Sequence, residues 1–72
     1  MTTKVLPEWK PEDIRLLRLH CGMTQRDLAD ELAVRQATIC DWETGKYRPR
    51  RFIRLVLTNL AERARFDMKG LN

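Results

Sequence analysis

Apolar residues recur every three or four positions along most of the chain, and nowhere do they alternate with polar ones over the length of a strand. That period assigns the chain to the all-α class. Ile14, Leu17 and Cys21 share one face of a first helix expected over Pro11 to Cys21, with Arg18 beside them. Pro11 suits the first helical position, and Glu12 and Asp13 favour the positive end of the helix dipole. Trp9 and Ile14 have the spacing of a hydrophobic staple, and Gly22 is placed to close the helix in the left-handed conformation. Leu16 and Leu19 fall on nearly the opposite face. An apolar second face needs a cover, supplied by the arm (Val5, Leu6, Trp9), the tail (Phe66, Met68, Leu71) or a second subunit.

Thr24 and Asp27 have the spacing of a capping box and start a second helix, Gln25 to Leu32, whose inward face is Leu28, Ala29 and Leu32. The connection Ala33-Val34-Arg35 leads to a third, Gln36 to Glu43, with Ile39 and Trp42 inward and Gly45 just beyond its end. Two short helices so briefly joined must cross steeply, and Ala29 is small where their backbones approach; this is a helix-turn-helix pattern. After Pro49, Ile53, Val56 or Leu57, Leu60 and Ala64 keep helical spacing and predict a last helix from Arg50 to Arg65. The expected organisation is an arm over 1–10, one domain over 11–66 and a tail over 67–72. Trp9, Trp42 and Phe52 are read as core aromatics.

Composition narrows the function. The chain has 72 residues, 43% of them hydrophobic, which suffices for one small core and leaves little room for a large substrate cleft. Fourteen Lys and Arg against ten Asp and Glu give a net charge of +4, and the pI is about 9.6. A basic surplus on so small a domain favours nucleic acid over membrane. No apolar run is long enough to span a bilayer, and the start, MTTKVLPEWK, lacks the apolar stretch of a signal peptide, so the expected location is cytoplasmic. Cys21 and Cys40 are then expected to be free thiols. The chain has no Ser, and its one His, His20, has no nucleophile or paired carboxylate at recognisable spacing, so no enzyme is expected. His20, Cys21, Cys40 and Asp41 match no zinc spacing, and neither metal nor cofactor is expected.

The run Ile14-x-x-Leu17-Arg18-x-x-Cys21-Gly22-Met23-Thr24-Gln25-x-x-Leu28-Ala29-x-x-Leu32, followed by Ile39-x-x-Trp42-Glu43-x-Gly45, resembles the Cro/lambda-repressor (XRE) family of helix-turn-helix proteins. The resemblance extends over residues 12 to 60. It implies a lambda-repressor-like fold of four to five helices and sequence-specific binding of double-stranded DNA. In that family the second helix of the motif enters the major groove while the first crosses the backbone. The resemblance further implies that Gln25 donates to a phosphate, that Gln36 and Ala37 meet base edges, and that Arg18 and Glu43 form a structural salt bridge.

The residues support this on their own terms. With Ile39 and Trp42 inward, the third helix presents Gln36, Ala37, Cys40 and Asp41 outward, and Arg35 precedes it; these five are the candidate base contacts. Gln bonds adenine bidentately, the Ala methyl meets a thymine methyl, and Asp accepts from cytosine. Lys46, Arg48, Arg50, Arg51 and Arg54 lie close together with no acid among them, as a backbone clamp requires. The candidate phosphate contacts are Gln25, Arg26, Thr38, Lys46, Arg48, Arg50 and Arg51.

Some positions depart from the family. Ala33 stands where a turn Gly is usual, Arg35 where a Ser or Thr cap is common, and the last two helices are fused. The expected role is a dimeric repressor on an inverted repeat, serving a small phage or mobile-element operon such as an anti-CRISPR-type operon. The expected homodimer interface is Leu57, Phe66, Met68 and Leu71. The alternative is a DNA-binding antitoxin with a toxin partner.

Overall fold

The computed structural model describes residues 6–66. Four helices account for the regular structure among them: α1 Pro11–His20, α2 Gln25–Leu32, α3 Gln36–Thr44 and α4 Arg51–Arg63. No described residue is in a strand. The four-helix form of the expected fold is the one observed, and each boundary lies within two residues of the sequence-based expectation.

Local chemistry explains the boundaries. At the start of α1, Pro11 occupies the first turn and the Asp13 carboxylate accepts the Lys10 backbone N–H at 3.0 Å. The helix ends in a Schellman motif, in which Gly22 takes φ +68° and the Met23 N–H donates to the Arg18 carbonyl at 3.0 Å. At α2 the capping box forms in both directions: the Asp27 N–H donates to Thr24 Oγ1 and the Thr24 N–H to Asp27 Oδ2, each at 3.0 Å. The backbone N–H of Thr24, and then its hydroxyl, hold the Asp27 carboxyl below its ordinary pKa. A depressed carboxyl stabilises the fold above its unfolded pKa, and that contribution is lost as pH falls through the folded value.

The α2–α3 turn closes on Ala33 at φ +57°, with the Val34 N–H donating to the Ala29 carbonyl at 2.9 Å. A left-handed Ala costs roughly 1–2 kcal/mol, whereas a Gly there loses roughly 0.5–1 kcal/mol more chain entropy on folding. Ala33→Gly is therefore expected to stabilise the domain by about 0.5–1 kcal/mol, raising the melting temperature by about 4 °C. Thermal and urea unfolding check this, and an unchanged or lower midpoint contradicts it.

The core is one cluster. Ile14 and Leu17 of α1, Leu28 and Leu32 of α2, Ile39 and Trp42 of α3, and Leu57 and Leu60 of α4 are all buried. Ala29, 2% exposed, lets α2 and α3 cross closely. Trp9 completes the cluster from before α1. It sits at φ +53°, a region costly for an aromatic residue, and is held there by burial and by its indole N–H, which donates to Thr58 Oγ1 at 3.0 Å. The Thr58 hydroxyl in turn donates to the Arg54 carbonyl at 2.8 Å, which explains how a threonine can sit buried on α4.

The far end of α4 is pinned too. His20 Nε2 lies 2.8 Å from the Ala64 carbonyl, and since a carbonyl only accepts, that nitrogen carries the hydrogen. Phe66 meets the His20 ring edge-on at 5.4 Å and stacks with Trp9 at 6.3 Å. Three expectations need correction. Phe52 is not in the core but 70% exposed. Ala64 is only half-buried, and Thr58 and Ala61 occupy the inward face instead. Leu57, expected at a subunit interface, is fully buried within the protomer and has no surface to offer a partner.

Candidate nucleic-acid interface

α3 carries the candidate readers because its other face is spent on the core. With Ile39 and Trp42 buried against α1 and α2, helical geometry turns Gln36, Ala37 and Cys40 to the exterior. Arg35, Gln36, Ala37 and Cys40 are exposed, and Asp41 and Thr38 are half-buried. Gln36, Ala37 and Cys40 thus form an outward strip, with Arg35 just before it and the half-buried Asp41 at its edge. Arg35 is the N-cap residue and makes no side-chain cap, so its guanidinium is not committed to its own helix. Thr44 Oγ1 donates back to the Cys40 carbonyl at 2.9 Å, which satisfies the last turn locally.

Two structural locks fix the orientation of this strip. In the first, Arg18 Nε donates to Glu43 Oε2 at 2.8 Å and a terminal guanidinium nitrogen donates to Oε1 at 3.1 Å. This is the fork geometry expected of the pair, and the Glu43 hydrogen bonds raise the Arg18 pKa above its ordinary value. Its other terminal nitrogen donates to the Met23 carbonyl at 3.1 Å, tying in the α1–α2 turn. Gln25 joins here: its amide donates to Glu43 Oε1 at 3.2 Å. A residue expected at a phosphate is thereby held at the junction of α1, α2 and α3.

The second lock ties the basic segment to α3. The Asp41 carbonyl accepts from the Lys46 N–H at 2.9 Å and from the Tyr47 N–H at 3.4 Å, while Gly45 turns the chain at φ +83°. The Lys46 ammonium lies 5.6 Å from the centre of the Tyr47 ring, a cation–π distance. Pro49 is buried, so the exposed Arg48 and Arg50 flank an anchored point.

The structure sorts the phosphate candidates. Thr38, Asp41, Arg48, Arg50 and Ile53 line one groove of about 450 Å³ between α3 and the start of α4. Arg51 points elsewhere and lines a separate groove with Leu6, Phe52 and Leu55. Arg26 and Lys46 are exposed. Neither the Gln25–Glu43 bond nor the Lys46–Tyr47 contact was expected from the residues, although the adjacency of Lys46 and Tyr47 permits the latter. Of the expected interface residues, Phe66 is half-buried against Trp9 and His20, while Met68 and Leu71 lie outside the described residues.

No helix among the described residues is long and apolar enough to cross a membrane, and they contain no cluster of three or more His, Cys, Asp or Glu able to hold a metal ion. Compared with known families, residues 14–52 match the one described as Helix-turn-helix. Comparison with curated proteins and with solved structures gives no match.

Proposed function

The chain belongs to the helix-turn-helix family of XRE type, whose members are DNA-binding regulators, and on that premise we propose that it is a dimeric repressor reading an inverted repeat with α3 in the major groove. The observation that carries this reading is the outward strip of α3 beside the Thr38–Arg48–Arg50 groove: an uncommitted row of small and amide side chains next to cations that are anchored to the same helix. Gln36 and Ala37 read base edges, with Arg35, Cys40 and Asp41 at the margins. Arg26, Thr38, Lys46, Arg48, Arg50 and Arg51 hold the phosphates, and Gln25 braces Glu43 while facing the backbone. Two copies place their α3 helices in successive major grooves, about 34 Å apart. Occupancy of a promoter by such a pair excludes polymerase, which suits a compact operon of phage or mobile-element type, with the protein acting in the cytoplasm.

Selection of bound duplexes from a random pool tests this, run in parallel with Gln36→Ala. The native protein should enrich a palindrome. The variant should relax one position in each half-site, losing about 1–3 kcal/mol of discrimination there. A uniform, salt-sensitive pool would overturn the reading. It would favour the antitoxin alternative, for which the exposed Leu16 and Leu19 offer a protein-facing surface.

A further inference from the structure

Two grooves share one wall. The groove beside α3 and a second recess of about 270 Å³ are both lined by Trp42, Tyr47 and Arg48. The second opens where the strap over residues 8–11 approaches the loop over residues 45–49. Its frame is rigid. Trp42 and Pro49 are buried, Pro11 is fixed in the first turn of α1, and the Asp41 carbonyl holds the Lys46 and Tyr47 N–H groups. Gly45 keeps the recess clear, since a Cβ there would stand 3.6 Å from Pro11 Cγ. Trp9 holds its left-handed conformation between Glu8 and Lys10, which both line the recess; backbone strain of this kind is kept where it positions binding groups.

The lining has a definite chemistry. The Tyr47 ring, 59% exposed, and the half-buried Pro11 ring offer flat apolar surface, while Glu8, Lys10 and Arg48 are exposed at the rim. Two cations against one acid leave a single positive charge, which suits a monoanion. A planar ring fits against Tyr47 and Pro11, and a carboxylate at the rim accepts from Lys10 Nζ and the Arg48 guanidinium. The volume lies just under the roughly 300–1,000 Å³ of drug-sized sites, so the ligand is small, of indole size. We propose that this recess binds a small planar aromatic carboxylate, and that the bound ligand loosens the protein from DNA by withdrawing Arg48. The inference rests on the DNA-binding reading above and supplies its regulation.

Arg48 couples the two grooves. Its single guanidinium serves either the carboxylate in the recess or a phosphate at the groove of Thr38 and Arg50. Losing that phosphate contact lowers DNA affinity about fivefold per protomer at roughly 0.15 M salt, and lowers the salt slope by about 0.9. Linkage then requires DNA to weaken the ligand by the same factor.

Two measurements on the full chain test the proposal, with indole-3-acetate as the probe. In a proton–nitrogen NMR titration of the free protein, the Tyr47, Arg48 and Lys10 amides should shift, with a Kd of about 1 mM for a ligand of this size. Fluorescence anisotropy on a mixed-sequence duplex should show the fivefold loss of DNA affinity at saturating ligand. Acetate at equal concentration, which matches the ionic strength, and the uncharged indole-3-acetamide should leave affinity unchanged. Lys10→Gln should bind the duplex as the native protein does, yet weaken the ligand at least about fivefold. If indole-3-acetate moves none of these amides at about ten times the expected Kd, the recess is not a ligand site and the proposal falls. Binding that leaves DNA affinity unchanged or raises it overturns the coupling through Arg48. A chain that holds no duplex even without ligand overturns the DNA reading itself, whereas the titration still decides the recess.

Discussion

Glu43→Ala is expected to lower the stability of the domain by about 3 kcal/mol and its melting temperature by about 15 °C. The side chains of Arg18 and Glu43 are 13% and 6% exposed, so the pair is largely withdrawn from water. Removing the carboxylate leaves a guanidinium in that setting with the Met23 carbonyl as its remaining acceptor, and the Gln25 amide loses its acceptor as well. The cost is that of an uncompensated charge, which exceeds the net worth of the intact pair. Glu43 in the last turn of α3 opposes the helix dipole, and losing it returns only a few tenths of a kcal/mol. Urea unfolding of Glu43→Ala beside the double variant Arg18→Met, Glu43→Met separates the two effects. The double variant should recover most of the loss, because no charge is then stranded. A Glu43→Ala protein as stable as the native one would show that the pair does not hold α1 to α3.

That lock was readable only through the family resemblance, because Arg18 and Glu43 lie 25 positions apart and nothing local in the chain joins them. The capping box of Thr24 and Asp27 and the left-handed positions of Gly22 and Gly45 were legible in the residues themselves, since each depends on residues only a few positions apart. Contacts between distant segments were not. Nothing local announces that Trp9 will donate to Thr58, because the bond depends on where α4 comes to rest. α4 is also apolar on more than one face, and periodicity alone could not choose among them. It left Val56 and Leu57 as alternatives on the apolar stripe, Leu57 being also expected at an interface and Phe52 in the core; the packing turns Leu57 inward with Leu60 and Ala61 and leaves Phe52 outside. The candidate site divides the same way. The readers on α3 follow from Ile39 and Trp42 being inward, whereas the separation of Arg51 from Arg48 and Arg50 is a matter of tertiary placement.

That separation shapes the other large effect. Replacing Lys46, Arg48, Arg50 and Arg51 together with Gln is expected to lower DNA affinity about 1000-fold at roughly 0.15 M salt and to reduce the slope of log K against log salt by about 3–4 units. Each neutralised phosphate contact contributes close to 0.9 to that slope, and the ionic contribution vanishes near 1 M, which sets the size of the loss. Fluorescence anisotropy across a salt series reads both quantities. All four side chains are exposed and Arg50 makes no side-chain cap, so the variant should fold normally, within about 0.5 kcal/mol per substitution. Base preference should be retained, since Gln36, Ala37 and Cys40 are untouched; Gln36→Ala should do the converse, altering preference at an unchanged slope. Among single changes, Arg48→Gln and Arg50→Gln should each shift the slope more than Arg51→Gln. The first two line the Thr38 groove beside α3, while Arg51 lies with Phe52 and Leu55. An unchanged slope in the fourfold variant would mean that these cations stay solvated when DNA binds, leaving α3 to hold the duplex without a clamp.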